Sequence, residues 1–323
     1  MKLKEIADIA NVSITTVSRV INKQGGVSDK NRKKIEKILL EKGFYKRSES
    51  SFKNNSLKKI AIILPDLKNP FFGEITKETS DKLRTFGYQS LIFNTNENYT
   101  LEKEAIESIV KLDDIAGVII CISCAINSSK NINILKEYNI PFVLIDRELE
   151  FHQDGIFMDD FKAGFLATEA LIKNGHQKIG IIIGTTELIN MKNRLEGYYY
   201  ALKKYNLEKD ENLIFSADIA LDSKCDNLKN ILSNKFIFSA LITANNALTI
   251  NTLKILKSSK KSVELLGIGK FDYFDLLENH IEYIDWDVQK MSVAAVDLLI
   301  KKFEVSKDYT QKILFEPILT QKN

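Results

Sequence analysis

The chain has 323 residues, a formal net charge of +3, 44% hydrophobic residues and 28% charged residues. That length exceeds one ordinary domain and suits about two or three, and that balance belongs to a folded chain rather than a disordered one. No run of about 18 apolar residues occurs, which excludes a transmembrane helix, and three cysteines cannot build a disulfide framework.

The start, Met1 to Asp8, interleaves acids and lacks an apolar segment, so no secretory signal is expected and the cytoplasm is the default location. The net charge hides an asymmetry. Residues 1–59 hold 15 Lys/Arg and 6 Asp/Glu, a balance of +9, which leaves −6 for residues 60–323. A basic head on an acidic body suits a polyanionic partner. A solvated lysine-rich surface gives the same imbalance, so charge alone leaves both readings open.

Residues 3–45 read as three short helices. Ile6, Ile9 and Ala10 stand at helical spacing in the first. Asn11-Val12-Ser13 is a tight turn, and Ser13 can cap a second helix whose stripe is Val17, Val20 and Ile21. Gly25-Gly26 breaks that helix. Ser28 can cap a third, with Ile35, Ile38 and Leu39, which Gly43 ends. Residues 46–57 are polar with little to bury, a linker.

From Lys58 apolar runs of strand length recur: Ile60–Leu64, Gln89–Phe93, Gly117–Ile122, Phe142–Ile145, Ile179–Ile183, Ala240–Thr243 and Val263–Ile268. Amphipathic stretches lie between many of them, such as Phe71/Phe72, Ile75, Thr79, Leu83 and Phe86. Strands alternating with helices imply parallel sheets covered on both faces. About ten strands suit two such sheets better than one, with a ligand in the cleft outside the strands' carboxyl ends. The run Phe315 to Leu319 reads as a final strand. The helix Met291–Lys302 packs either within a lobe or across a dimer seam.

A helix, tight turn and second helix suit the DNA major groove. Ile14 and Thr15 lie at the exposed start of the second helix, and Arg19 can take a guanine or a phosphate. Thr16, Ser18 and Asn22 suit phosphate oxygens, with Lys30, Arg32, Lys33 and Lys34 adding sequence-independent attraction.

The residues Lys4-Glu5-Ile6-Ala7, Asn11-Val12-Ser13, Thr16 to Asn22, Val27-Ser28 and Gly43-Phe44 together resemble the headpiece of the lac repressor family. The resemblance continues through Pro65 to Phe72, Asp146-Arg147, Gly164, Gly175-His176, Arg194 to Tyr198 and Ala244-Asn245-Asn246.

It implies a small all-α helix-turn-helix headpiece (1–45), a hinge linker (46–57) and an α/β core (58–323) of two Rossmann-like lobes, similar to periplasmic sugar-binding proteins. The first lobe is expected over about 58–157 and 287–314, the second over about 158–286 and 315–323. The implied function is a sequence-specific DNA-binding transcriptional regulator, a repressor. It is not an enzyme, needs no cofactor or metal, and works as a homodimer on a near-palindromic double-stranded operator. A small carbohydrate-derived effector between the lobes changes operator affinity. The expected DNA contacts are Ile14, Thr15, Thr16, Ser18, Arg19, Asn22, Ser28 and Phe52. The expected effector contacts are Asn69, Phe71, Phe72, Asp146, Arg147, Arg194, Asn245 and Trp286.

The chain departs from the family at two places. Its hinge, Lys46 to Lys53, lacks the usual Pro, Asn, Ala and Leu; Phe52 there either wedges between bases or packs on the core or a partner. In the cleft Gly269 replaces an aspartate, Trp286 a glutamine and Asn246 an aspartate. A ligand that is flat or anionic at the second lobe fits this change, with Trp286 stacking and Lys270 or Arg194 taking negative charge, as in a sugar phosphate or sugar acid.

Other motifs carry less. Cys121-x-x-Cys124 has no second pair, and His152, His176 and His280 show no ligand spacing, so buried thiols and local packing are expected. Asp159-Asp160 opens a helix, where acids favour the dipole over catalysis. The competing functions are a regulator controlled by a partner protein, as in carbon-catabolite control, and, more remotely, a solute-binding protein.

Overall fold

A computed structural model of the chain describes residues 3–21, 25–41, 57–123, 125–149, 153–221, 226–233, 237–259, 263–270, 281–304 and 310–320. Asn22, Gly43, linker positions 46–56 with Phe52, and Cys124, Cys225, His152 and His280 lie outside these residues.

Three helices form the head: α1 (Leu3–Ala10), α2 (Ile14–Ile21) and α3 (Asp29–Glu41). Asn11 takes a left-handed φ of 55°, which Asn tolerates better than most residues; Val12 N–H reaches back to Ala7 O and closes the turn. Ile6, Ala7, Ala10, Val17, Val20, Ile35, Ile38 and Leu39 pack into one small core. Ile9 is the exception to the expected stripe. It is half exposed, because the partners of α1 cover only the face carrying Ile6 and Ala10.

The core begins with β1 (Lys59–Leu64), α4 (Pro70–Thr85), β2 (Gln89–Asn94), α5 (Tyr99–Ile109), β3 (Ile115–Ile120), α6 (Ala125–Glu137), β4 (Phe142–Asp146) and β5 (Gly155–Met158). It continues with α7 (Asp160–Lys173), β6 (Ile179–Ile183), α8 (Ile189–Lys204), β7 (Ile214–Ser216), α9 (Asp226–Ser233), β8 (Ala240–Thr243) and α10 (Asn246–Ser259). It ends with β9 (Glu264–Ile268), β10 (Glu282–Asp285), α11 (Val288–Glu304), β11 (Lys312–Phe315) and β12 (Ile318–Thr320).

These strands form two six-stranded sheets, ordered β11-β5-β4-β3-β1-β2 and β12-β10-β9-β8-β6-β7. Every pairing is parallel except β10 with β12. Near-continuous apolar strands follow from burial on both faces. In β1, Ile60, Ile62 and Leu64 face the core shared with α4 and α11, while Ala61 and Ile63 face Ile106 of α5 and Ile132 of α6. Val296 and Leu299 of α11 are fully buried within the first lobe. The amphipathic stretch of α4 buries Phe72, Ile75, Thr79 and Leu83. Phe86 follows the helix as its C-cap and is exposed, beyond the reach of that face.

The chain passes between lobes three times: from β5 to α7, from β10 to α11 and from β11 to β12. The third passage corrects the expected single final strand. Phe315 closes β11 in the first sheet and Ile318 opens β12 in the second. Pro317 stands between them, where it has no N–H to offer a ladder.

Candidate functional site

In the head, Ser13 Oγ accepts from Thr16 N–H at 3.1 Å and caps α2. The same hydroxyl pairs with Thr16 Oγ1 at 2.8 Å, so Thr16 supports the cap. With Val17 and Val20 buried, α2 presents Ile14, Thr15 and Arg19 to solvent, and Ser18 is half-buried beside them. Ser28 Oγ accepts from Asn31 N–H at 3.4 Å at the start of α3. Lys30, Lys33 and Lys34 are exposed on that helix.

The two lobes line one cleft between them. Its first-lobe wall is Asn69, Phe71, Phe72, Asp146, Arg147 and Met158; its second-lobe wall is Asn190, Met191, Arg194, Asn245, Asn246, Ile268 and Trp286. The eight cleft residues singled out in the sequence all line it. Lys270 does not. Its side chain is exposed, and its carbonyl instead receives Asn246 Nδ2.

The first wall is built on strand ends and loops. Asn69 follows β1, caps α4 and accepts from Phe71 N–H at 3.2 Å, with Pro70 at the first helical position. This entry brings Phe71 and Phe72 edge to face, centroids 5.2 Å apart. Asp146 ends β4 with φ 69°, and Arg147 N–H bonds Ile145 O across it at 2.8 Å. Such a turn is sterically costly for a residue with a side chain.

The Arg147 guanidinium is held by Glu97 at 2.6 and 2.7 Å and by Ile122 O at 3.0 Å. Glu97 itself has φ 54° and follows Asn96 at φ 52°. Burial pushes the Asp146 carboxyl up, against the pull of Arg147 and Arg194. Behind it Cys121 Sγ donates to Asp146 Oδ2 at 3.5 Å, and burial holds that thiol well above its ordinary value. A buried, protonated thiol fits the expectation of packing for this cysteine.

The second wall is built on helices. Gly164 of α7 and Gly197 of α8 meet backbone to backbone. A Cβ on Gly164 would stand 2.0 Å from Arg194 O, and one on Gly197 2.0 Å from Phe161 O. This crossing sets Asp160 beside Arg194, with Oδ1 at 2.7 Å from both Nε and Nη2, while Nη1 donates to Ala244 O. Burial outweighs the arginine and raises Asp160 to about 6. Asp160 therefore does more than favour a helix dipole. Asp159 provides the cap, accepting from Lys162 N–H at 2.9 Å, and Asp160 turns into the buried pair.

Trp286 is 5% exposed, and the Arg194 guanidinium lies 5.3 Å from its ring centroid. One indole face is thus already covered, which leaves only the rest of the ring for the stacking expected of Trp286. Asn245 caps α10 through Leu248 N–H at 2.8 Å and donates to Ile219 O at 3.3 Å. Gly269, at φ 110°, leaves room for Asn246, whose Oδ1 lies 1.7 Å from where a Cβ would stand. Leu221 N–H donates across the lobes to Asp66 Oδ2 at 3.2 Å.

Sequence reasoning missed Glu97 and Asp160, the acids that hold the two arginines, and the lining residues Met158, Asn190, Met191 and Ile268. Asn190 and Met191 precede Arg194 by four and three positions, one helical turn, so helical spacing carries their signal. Among the described residues, no group of three or more His, Cys, Asp or Glu is placed to hold a metal. No helix there is long and apolar enough to cross a membrane.

Residues 57–271 match the family model described as periplasmic binding proteins and sugar binding domain of LacI family. Residues 2–46 match that of bacterial regulatory proteins, lacI family. The chain is 25% identical to the HTH-type transcriptional repressor PurR of Actinobacillus pleuropneumoniae, over 98% of this chain and 96% of the relative. It is 28% identical to the sucrose operon repressor of Lactococcus lactis, over 94% of each. Among solved structures, the complex of the transcriptional regulator CelR with cellobiose aligns with a TM-score of 0.74 at 21% identity, covering 99% of this chain and 98% of that one.

Proposed function

The chain belongs to the LacI family of bacterial regulators, DNA-binding transcriptional repressors and not enzymes, and on that premise we propose that a small neutral carbohydrate held between the lobes sets its affinity for an operator. The observation that carries this reading is the cleft itself, where both lobes converge on one space with three aromatic side chains, a carboxylate and fixed polar groups. Aromatic faces suit C–H surfaces, and Asp146 suits hydroxyl donors.

Charge favours a neutral ligand over a sugar phosphate or sugar acid. Arg147 is matched by Glu97, Arg194 is matched by Asp160, and the Asp146 carboxyl adds a further acid to the wall. Among the described residues, no lysine lines the cavity. The family model's sugar-binding description over residues 57–271 supports a carbohydrate.

On the DNA side, Ile14, Thr15 and Arg19 read bases, while Thr16, Ser18 and Ser28, with Lys30, Lys33 and Lys34, meet phosphates. Two copies of the chain bind one near-palindromic site, as the half-site logic of helix-turn-helix readers requires.

Thermal melting across neutral pentoses and hexoses, with their acids and phosphates, tests the effector. A neutral sugar at 100 times its Kd adds about 2.7 kcal/mol and raises Tm. A shift from the acids or phosphates alone contradicts a neutral ligand. No shift from any compound favours control by a partner protein.

A further inference from the structure

Resting on the carbohydrate reading above, we propose that the second-lobe wall selects a sugar whose end facing it carries no free hydroxyl, a deoxy or O-alkylated end, and that Trp286 is the residue that sets this specificity. A buried hydroxyl must donate as well as accept, or its proton is left without a partner. The first wall can receive such a proton on Asp146.

Among the described residues the second wall has no lining carboxylate, and its amide oxygens are each already engaged with the chain. Asn245 Oδ1 accepts from Leu248 N–H and Asn190 Oδ1 from Met191 N–H. Asn246 Oδ1 is folded over Gly269, and its Nδ2 donates to Lys270 O. Arg194 is a donor only, with its nitrogens on Asp160 and Ala244 O.

Against these stands one group with the opposite need. Trp286 Nε1 is buried in this wall and has no hydrogen-bond partner in the structure. An indole N–H can only donate. The acceptor that suits it is an oxygen without its own proton, such as a ring, glycosidic or methoxy ether. Met191 and Ile268 give the same wall an apolar surface against which a methyl group packs.

Trp286 is the single tryptophan of the chain, so its emission reports on this wall without a label. The full chain is titrated with D-glucose, D-galactose and D-mannose, each beside its methyl glycoside and its 6-deoxy counterpart. In one series the derivative is expected to bind roughly 5- to 150-fold more tightly than the parent, the range of one hydroxyl left unpaired. Trp286→Phe keeps a ring but removes the N–H. Followed by melting, it is expected to weaken the methyl glycoside about tenfold and the 6-deoxy sugar less. Trp286→Gln adds an acceptor and should recover the parent sugar.

A parent sugar that binds the unmodified chain as tightly as its derivatives overturns the proposal and leaves the carbohydrate reading standing. If no member of the panel alters emission or melting, the carbohydrate reading fails and the specificity falls with it. The selectivity of the unmodified chain decides the matter even if a Trp286 variant does not fold.

Discussion

Each wall of the cleft holds a buried arginine against an acid, and the two walls reach that arrangement by different means. On the first, Arg147 meets Glu97 through loops, and the cost sits in the backbone, with Asn96, Glu97 and Asp146 all at left-handed φ. Each such residue costs on the order of 1–3 kcal/mol. On the second, Arg194 meets Asp160 because two helices cross at Gly164 and Gly197, and the cost sits in close packing. The first wall is therefore set locally by three residues. The second is set by the placement of whole helices.

Removing an acid should affect the first wall most. Glu97→Ala takes from Arg147, 4% exposed at its side chain, its bidentate partner and leaves only Asp146 Oδ2, 3.8 Å from Nε. The expected loss is about 3–5 kcal/mol, read by urea denaturation, together with loss of ligand binding. A change under 1 kcal/mol would mean that water or Asp146 already serves Arg147. Next in size is Gly197→Ala, whose methyl meets Phe161 O. It should cost about 1–3 kcal/mol. Gly73→Ala, with nothing within 4 Å, provides the contrast and should be neutral or stabilising by about 0.5–1 kcal/mol. Equal effects at both glycines would remove the argument for a close helix crossing.

A further effect concerns pH. The carboxyl of Asp160 is raised to about 6 in the folded chain from an ordinary 3.8. Its contribution is therefore fully present below about 3.8 and is lost as pH rises through 6. Between pH 4 and 7 the stability of the unmodified chain should fall relative to that of Asp160→Asn. The change is about 1.4 kcal/mol for each pKa unit, measured as the difference between the two denaturation series. A gap constant with pH would show that Arg194 keeps Asp160 ionised throughout.

Much of this architecture was legible in the residues. Apolar runs at β1, β3, β4, β6, β8 and β9 announce buried parallel strands, and the Asn69, Asp146, Arg194 and Asn245 neighbourhoods follow from the family resemblance. What stayed hidden has physical reasons. Glu97 lies 50 positions from Arg147, and no periodicity connects a loop to a strand end. Asp160 adjoins Asp159, and nothing in a pair of acids says which one caps the helix. Strands β5, β7, β11 and β12 are three or four residues long, too short for alternation to show. The covered face of Trp286 depends on Arg194, 92 positions away, and on the helix crossing that holds it.

Ligand in the cleft and operator on the head must be linked if the chain regulates transcription. The direct measurement is the affinity of the full chain for an operator selected from random-sequence DNA, with and without a saturating sugar from the panel above. A coupling of about 1–3 kcal/mol, a 5- to 150-fold change in operator affinity, is the predicted result. Unchanged operator affinity, under a sugar that demonstrably alters Trp286 emission, would contradict it.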